Sequence, residues 1–430
     1  MASIVMTVTF IGLTLIRMPV SMAIGIATLP PLLMLHRDLI VLPQFMLQGV
    51  HSTALLAVPF FILAGNLFSV LGLSKRIWNF AQAAVRHIRG GLGHVMVVAN
   101  MIFSGISGSA LADAAALGLI GIPAMERAGY RRSFAAALTL CSSVIGPMIP
   151  PSINLIIYGI IAQVSIGRLF LGGLVPGFII ALAMMTTVYL IALSGREPCP
   201  ILPRAPARET AIAFAVSLPA MLVPIVVVLG MGFGIITPTE VGIFATVYAL
   251  VLGAFYREAS LAELYRSLCS STRTAVNIMF IIAVSTVAGW VYTYDGTSQH
   301  VAQWLFALSA NKYVLLLLIN AFLLVLGFIL EPIPMLILAA PIVLPLAQRI
   351  GVDLVHFGVL VSFNITLGIL HPPVGIGLYV MTNVARVRYE DLVLACLPFF
   401  VPLLLCLILF SCVPELSLWL PNLVMGKSPV

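Results

Sequence analysis

Two stretches of this 430-residue chain place hydroxyls, glycines and prolines inside apolar sequence. The first, residues 103–110 (FSGISGSA), carries Ser104, Ser107 and Ser109 around two glycines. Glycine lets a backbone turn sharply, and a turn here would expose main-chain carbonyls beside three hydroxyls. An all-oxygen donor set suits a hard cation such as Na+, and the N-terminus of a helix beyond the turn favours an anion. Small residues also let helices pack closely, so the motif taken alone leaves both readings open. The second stretch, 146–152 (GPMIPPS), has three prolines in five positions. Each removes a backbone donor and clashes with a carbonyl one turn earlier. In lipid such a break survives only where it is buried in protein or lines a cavity; a simple kink is the plainer alternative.

The second half of the chain has counterparts. Residues 328–334 (FILEPIP) contain Glu331, and residues 368–375 (GILHPPVG) contain His371, Pro372 and Pro373, preceded by Asn364 and Thr366. Acids at plausible membrane depth are few: Asp113, Glu331 and, less clearly, Glu240. Asp113 follows Ser109 by four residues, so a helix would put both on one face. Ionisable groups inside a membrane are functional by default, although each can instead be a structural hydrogen-bond partner. No Lys or Arg falls in mid-span, so an anionic substrate would meet helix N-termini and bound cations. Enzymatic signatures are not evident. Residues 426–428 (GKS) end like a phosphate loop, but Pro421 stands where its first glycine belongs. Residues 105–109 (GISGS) miss a nucleophile elbow at the last position. There is no H-E-x-x-H, and the seven histidines are scattered.

The elements that must hold these residues are apolar helices. Hydrophobic residues make up 61% of the chain and charged ones 8%, with a mean hydropathy of +1.16; a soluble domain carries about 25% charge. Lipid is therefore the solvent, and nucleic-acid binders and cytosolic enzymes are excluded. Apolar stretches run at about 3–35, 54–72, 94–122, 134–162, 169–194, 211–231, 241–256, 274–293, 312–346, 355–383 and 391–413. The net charge of +7 sits in five short loops, around 75–89, 127–132, 196–208, 257–273 and 386–388. All five share the cytoplasmic side if 94–122 and 312–346 each enter and leave by one face, as re-entrant hairpins. Limbs of about 14 residues rise only about 21 Å, short of a core of about 30 Å. The C-terminal side is then outside, the side of the N-terminus is left open, and a break is expected near Arg17–Pro19. Residues 73–89 carry a single apolar stripe and read as a helix lying in the interface. The six cysteines read as small hydrophobes without a disulfide or metal framework, and no cleavable leader is evident.

Sliding the chain on itself by 222 positions aligns Gly105 with Gly327, Pro123 with Pro345, Arg127 with Arg349, Gly129 with Gly351, Gly146 with Gly368, and Pro150–Pro151 with Pro372–Pro373. Matching punctuation before a double proline indicates a duplication. The loop after the first hairpin is basic and the loop after its copy is not, so the copies face opposite sides, as in inverted-repeat secondary transporters. The expected division is 1–92 (scaffold helices and interfacial arm), 93–168 (first hairpin and broken helix), 169–311 (scaffold and second arm), 312–385 (second hairpin and broken helix) and 386–430 (C-terminal helix).

With these motifs in view, the chain resembles the DctM-like large membrane subunit of the tripartite ATP-independent periplasmic (TRAP) transporters. The residues carrying the resemblance are 59–65 (PFFILAG), 105–113 (GISGSALAD), 146–152, 237–240 (TPTE), 356–358 (HFG) and 372–375 (PPVG). The resemblance implies an elevator-type, all-α polytopic protein of the bacterial inner membrane that takes up a small organic anion, such as a dicarboxylate, keto acid or sugar acid, with Na+. It also implies two partners: a small four-helix membrane subunit and a periplasmic substrate-binding protein. Carried over by position, one cation site involves Ser107, Gly108, Ser109, Gly146, Pro150 and Ser152. A second involves Glu331, Thr366, Gly368, His371, Pro372 and Gly375. Substrate contacts are expected from Ser107, Ser109, Asp113, Pro151, Asn364 and Pro373. Two departures stand out. His371 replaces a frequent Thr and raises the option of proton coupling, and Ala110 replaces a frequent Ser; either change removes a possible cation ligand. A stand-alone cation-coupled carrier of related fold, needing no binding protein, is the alternative reading.

Overall fold

The computed structural model describes residues 1–427 apart from 17, 257–258, 310, 329 and 373–374. These residues form helices joined by short loops, with no strand among them. Apolar runs in lipid must satisfy their backbone groups internally, and the helix does so within one segment. In chain order the helices are α1 (Ala2–Leu15), α2 (Val20–Ala27), α3 (Leu29–Met34), α4 (Val41–Val50), α5 (Ala57–Val70), α6 (Leu73–Val85), α7 (Leu92–Ser107), α8 (Ala110–Arg127), α9 (Arg132–Ser142) and α10 (Ile153–Ala162). They continue as α11 (Ile166–Ser194), α12 (Ala207–Gly232), α13 (Pro238–Tyr256), α14 (Leu261–Tyr294), α15 (Thr297–Leu308), α16 (Lys312–Leu326), α17 (Pro332–Arg349), α18 (Leu354–Leu367), α19 (Ile376–Ala385), α20 (Tyr389–Cys412) and α21 (Glu415–Met425). Seven of these segments are long and apolar enough to cross a membrane alone.

The N-terminal apolar run is interrupted ahead of Pro19, which caps α2. The hydropathy reading did not separate α4 and α15, whose sequences mix apolar and polar residues. It also began α14 too late. Ser260 and Glu263 form a capping box, with the Ser260 hydroxyl accepting from the Glu263 amide at 3.3 Å and the Glu263 carboxylate accepting from the Ser260 amide at 2.8 Å. That box starts the helix well before its apolar part.

Both copies of the repeat fold alike. In the first, α7 and α8 form the hairpin, and α9 and α10 form a helix interrupted over 146–152. In the second, α16 and α17 form the hairpin, and α18 and α19 flank an interruption that takes in His371, Pro372 and Gly375. The hairpin limbs rise about 22–27 Å, less than a hydrocarbon core of about 30 Å.

Two hydrogen bonds show that the copies are inverted. Arg132, at the start of α9, donates to the Ala385 carbonyl at the end of α19. Tyr158, near the end of α10, donates to the Leu354 carbonyl at the start of α18 at 2.8 Å. The two broken helices therefore run antiparallel. The end that holds Arg132 and Ala385 also gathers the basic loops. Arg131 pairs with Glu197, while Arg86 bonds the Pro203 carbonyl at 2.8 Å and pairs with Glu209 at 3.0 Å. This is the cytoplasmic end. At the opposite end Arg168 donates to the Gly426 carbonyl at 2.8 Å. There too the Met1 ammonium and the Ser3 hydroxyl bond Asp295 at 2.9 and 2.5 Å. The start of α1 thus lies outside, the side that loop charges alone left open.

Helix α6 buries Leu73, Ile77, Trp78 and Ala81 against α7, α8 and α12 while Lys75 and Asn79 stay exposed. Around the rim the pattern reverses. In α20, Leu394, Leu397, Val401, Leu405 and Ile408 are exposed along one face, and Leu392, Phe399, Leu403 and Phe410 are buried on the other. A face this apolar is at home in lipid.

Candidate functional site

At the first hairpin tip, α7 ends on Gly108, whose φ of +64° is left-handed. Ser109 is extended and caps α8. A Cβ on Gly108 would stand 2.1 Å from the Pro151 carbonyl oxygen, so glycine is what lets the tip lie against the first break. Ser107 and Ser104 both donate to the Asp113 carboxylate, Ser104 at 2.9 Å. Asp113 is fully buried in the first turn of α8, where the helix dipole favours an anion. Its other neighbour is Gly146: a Cβ there would lie 2.6 Å from Asp113 Oδ2. Ser107, Asp113 and Gly146 therefore form one cluster behind the tip.

The break is held by its own hydroxyls. Ser152 Oγ donates to the Pro147 carbonyl at 2.6 Å and accepts from the Leu155 amide at 3.3 Å. Ser362 reaches the same Pro147 carbonyl from α18 at 3.4 Å. Pro150 turns elsewhere, lining an apolar hollow with Gly105 and Pro224. In the second copy the Gly327 and Gly368 backbones abut, with a Cβ on either one 3.0 Å from the other's Cα. Asn364 donates to the Asn320 side-chain and main-chain oxygens at 2.9 and 3.0 Å. The Gly375 amide closes a turn onto the His371 carbonyl at 2.7 Å. The His371 ring lies between Phe328 and Phe400, at 5.2 and 5.3 Å.

The four elements meet. One cleft of about 100 Å³ is lined by Gly108, Ser109, Pro147, Asn154, Glu331 and Thr366, among others. Asn154 donates to Thr366 Oγ1 at 3.3 Å, joining the two breaks. Among the described residues, no Lys or Arg lines this cleft. Both hairpin tips, the first break and the helix end leading into the second thus converge on one cleft.

The model of the family described as "Tripartite ATP-independent periplasmic transporter, DctM component" matches residues 7–416. The chain is 38% identical to the sialic acid TRAP transporter large permease protein SiaM of Vibrio cholerae, covering 97% of this chain and 98% of that one. It is 36% identical to the C4-dicarboxylate TRAP transporter large permease protein DctM of Pseudomonas aeruginosa, over 86% and 87% of the two chains. The chain belongs to the DctM family. Among solved structures, the Alcanivorax borkumensis YdaH transporter covers 96% of this chain and 98% of its own, with a TM-score of 0.65 at 13% identity. The MtrF protein of Neisseria gonorrhoeae has a TM-score of 0.59 at 12% identity, over 87% of this chain and 84% of its own. These two show the fold alone.

The chain is therefore a TRAP transporter large permease, a multi-pass protein of the bacterial inner membrane and a transporter component rather than an enzyme. Of the positions picked out in its sequence, the structure brings Gly108, Ser109, Glu331 and Thr366 into the cleft. Ser107, Asp113 and Gly146 sit behind it, with Asp113 engaged by two serines. Pro151 touches the tip through its carbonyl. Gly368 and Gly375 line a crevice beside Glu331. Ser152 and Asn364 serve as tethers, and neither His371 nor Pro372 lines the cleft. Pro373 lies outside the described residues. Glu240, the weaker candidate, is exposed and caps its own helix by accepting from Thr237 at 2.7 and 2.8 Å. Sequence reasoning missed Asn154 and Asn320. Each is a lone amide in an apolar run, a signal available to it.

Proposed function

We propose that this permease carries a small organic anion into the cell together with Na+, working with a small membrane subunit and a periplasmic binding protein, and that the two hairpin-and-broken-helix units move as an elevator. The observation that carries this reading is the single cleft that gathers both hairpin tips, the first break and the helix end leading into the second. Its donor set supports the coupling ion. The Ser107 hydroxyl, the Asp113 carboxylate and the main-chain oxygens of residues 109 and 151 are hard oxygens gathered at the first tip, which is the chemistry an alkali cation prefers. Ser107, Ser109, Asp113 and the 146–152 loop would hold one cation. Residues around Glu331 and Thr366 would receive a second cation or the substrate. Among the described residues no basic side chain reaches the cleft, so a cation bound with the anion offsets its charge before the site crosses lipid, where unpaired charge is costly.

Proteoliposomes holding this permease with its partner subunits test the reading. Uptake of the organic acid collapses when the Na+ gradient is removed and is indifferent to ATP. Uptake that continues without Na+ removes the coupling claim, and uptake by this chain without a binding protein favours a stand-alone carrier. Ser109→Ala raises the Na+ concentration for half-maximal uptake by about tenfold, a loss of about 1.4 kcal/mol for one oxygen ligand.

A further inference from the structure

The basic residues of the cytoplasmic end are not spread evenly. On α6, Arg76, Asn79, Ala83 and Arg86 recur at spacings of three and four, which puts them on one helix face. That face looks across at the first turns of α12, from Arg208 to Val216, and a groove of about 710 Å³ lies between the two helices. Two contacts hold its walls together. Phe80 packs on Phe214 with ring centroids 5.5 Å apart, and Arg86 pairs with Glu209 at 3.0 Å. The groove shares no lining residue with the central cleft.

The lining changes character with depth. It carries Arg76, Arg86 and Arg208 against the single acid Glu209, a surplus of two positive charges. Glu209 is taken up by Arg86, which also donates to the Pro203 carbonyl at 2.8 Å. The Arg76 guanidinium is held over the Tyr256 ring at 3.6 Å, so its charge stays at the rim. Arg208 is exposed, and among the described residues it pairs with no acid. The Asn79 and Gln82 amides add neutral donors. Deeper in, the wall is apolar. Ile212 and Val216 follow Arg208 by four and eight residues, about 6 and 12 Å further along the helix axis, and are 53% and 47% exposed. A groove that is cationic at the membrane surface and apolar one or two turns below it has the polarity of a phospholipid. A soluble phosphate would leave the isoleucine and valine uncovered. The setting agrees, because α6 lies in the interface at headgroup level. Basic pockets between helices on the cytoplasmic side suit acidic headgroups, whose phosphate an arginine can grip with two parallel hydrogen bonds.

We infer that the groove between α6 and α12 binds one acidic phospholipid of the cytoplasmic leaflet, with Arg208 and Asn79 on its phosphate and an acyl chain along Ile212 and Val216. The inference depends on neither the substrate nor the coupling ion. The test is native mass spectrometry of the full-length permease in detergent, titrated with phosphatidylglycerol and with phosphatidylcholine of the same chains. One phosphatidylglycerol binds at least fivefold more tightly than phosphatidylcholine. Arg208→Gln removes about fivefold of that affinity, the scale of one exposed charge contact, and leaves phosphatidylcholine unchanged. Arg208→Lys keeps most of the affinity. Arg388→Gln, on a basic loop away from the groove, changes nothing. Ile212→Asn weakens phosphatidylglycerol about threefold, and millimolar glycerol 3-phosphate does not displace the lipid. Equal affinities for the two lipids, or equal losses from Arg208→Gln and Arg388→Gln, would overturn the inference, since the charge effect would then be diffuse. Displacement by glycerol 3-phosphate would overturn it in favour of a soluble phosphate ligand. Loss of a co-purified membrane subunit in Arg208→Gln with lipid binding unchanged would overturn it in favour of a protein contact.

Discussion

Single residues decide how closely the tips and breaks approach. Gly108 combines a left-handed φ of +64° with a position whose Cβ would meet the Pro151 oxygen at 2.1 Å. Gly108→Ala therefore adds strain of about 1–2 kcal/mol from the backbone and must push the tip away from the break. Transport falls well below half while the protein still inserts, which uptake and membrane fractionation measure together. Asp113→Asn tests the cluster behind the tip. Ser104 and Ser107 keep an acceptor but lose the charge, so folding is nearly retained while Na+ dependence weakens. Asp113→Ala takes the best acceptor from the Ser107 hydroxyl, while Ser104 keeps the Asn100 carbonyl at 2.6 Å, and lowers stability by about 1–3 kcal/mol, read as an earlier thermal aggregation midpoint. If Asn and Ala variants respond to Na+ like the wild type, Asp113 is only a brace.

Elements are fixed at their ends by a few polar clamps. Glu197, whose side chain is fully buried, accepts from the Arg131 amide at 2.6 Å and from the Arg131 guanidinium, tying the loop before α9 to the loop after α11. Glu197→Gln keeps the shape and loses the charge, and lowers stability by about 1–2 kcal/mol; differential scanning fluorimetry checks it. At the outer end Asp295 holds α1 to α14. The Ser3 hydroxyl first, then the chain's amino terminus, keep its carboxyl well below the usual carboxylate range. A lowered pKa means the folded state binds its proton less readily than the unfolded one. The clamp therefore contributes fully above the ordinary aspartate value of about 4 and fades as the pH drops below it. Stability measured from pH 6 to pH 3 should fall less steeply in Asp295→Asn than in the wild type. Parallel curves would show that the clamp contributes nothing.

At the scale of the molecule, inversion of the two copies makes one centre out of two motifs far apart in sequence. Arg132 against Ala385 puts the start of one broken helix beside the end of the other. Cysteines at these two positions in a background without other cysteines cross-link readily with a short bismaleimide, and a parallel arrangement would keep them a membrane apart. Under the proposed elevator both positions belong to the moving unit, so that cross-link leaves uptake largely intact. A link between positions 289 and 341 does not. There α14 passes so close to α17 that a Cβ on Gly289 would lie 3.0 Å from Pro341, and joining them pins the proposed mover to the frame. Uptake that survives this second link would count against the elevator.

The residues of the chain announced their environment because the rules involved are local. Apolar runs without charge require lipid, prolines without a donor break a helix wherever they stand, and 15–18-residue hairpin limbs are too short to span whatever surrounds them. The duplication and its inversion were legible from spacing and loop charge. Which side chains face the centre was not, because that depends on helix rotation and on packing between segments about two hundred residues apart. Asn154 meets Thr366 across the two breaks, Asp113 turns back under its own hairpin, and His371 is taken up between two phenylalanine rings. Local sequence thus determined the solvent, the breaks and the mirrored plan, and tertiary packing alone decided which oxygens share the cleft, since only the juxtaposition of distant helices brings them within bonding distance.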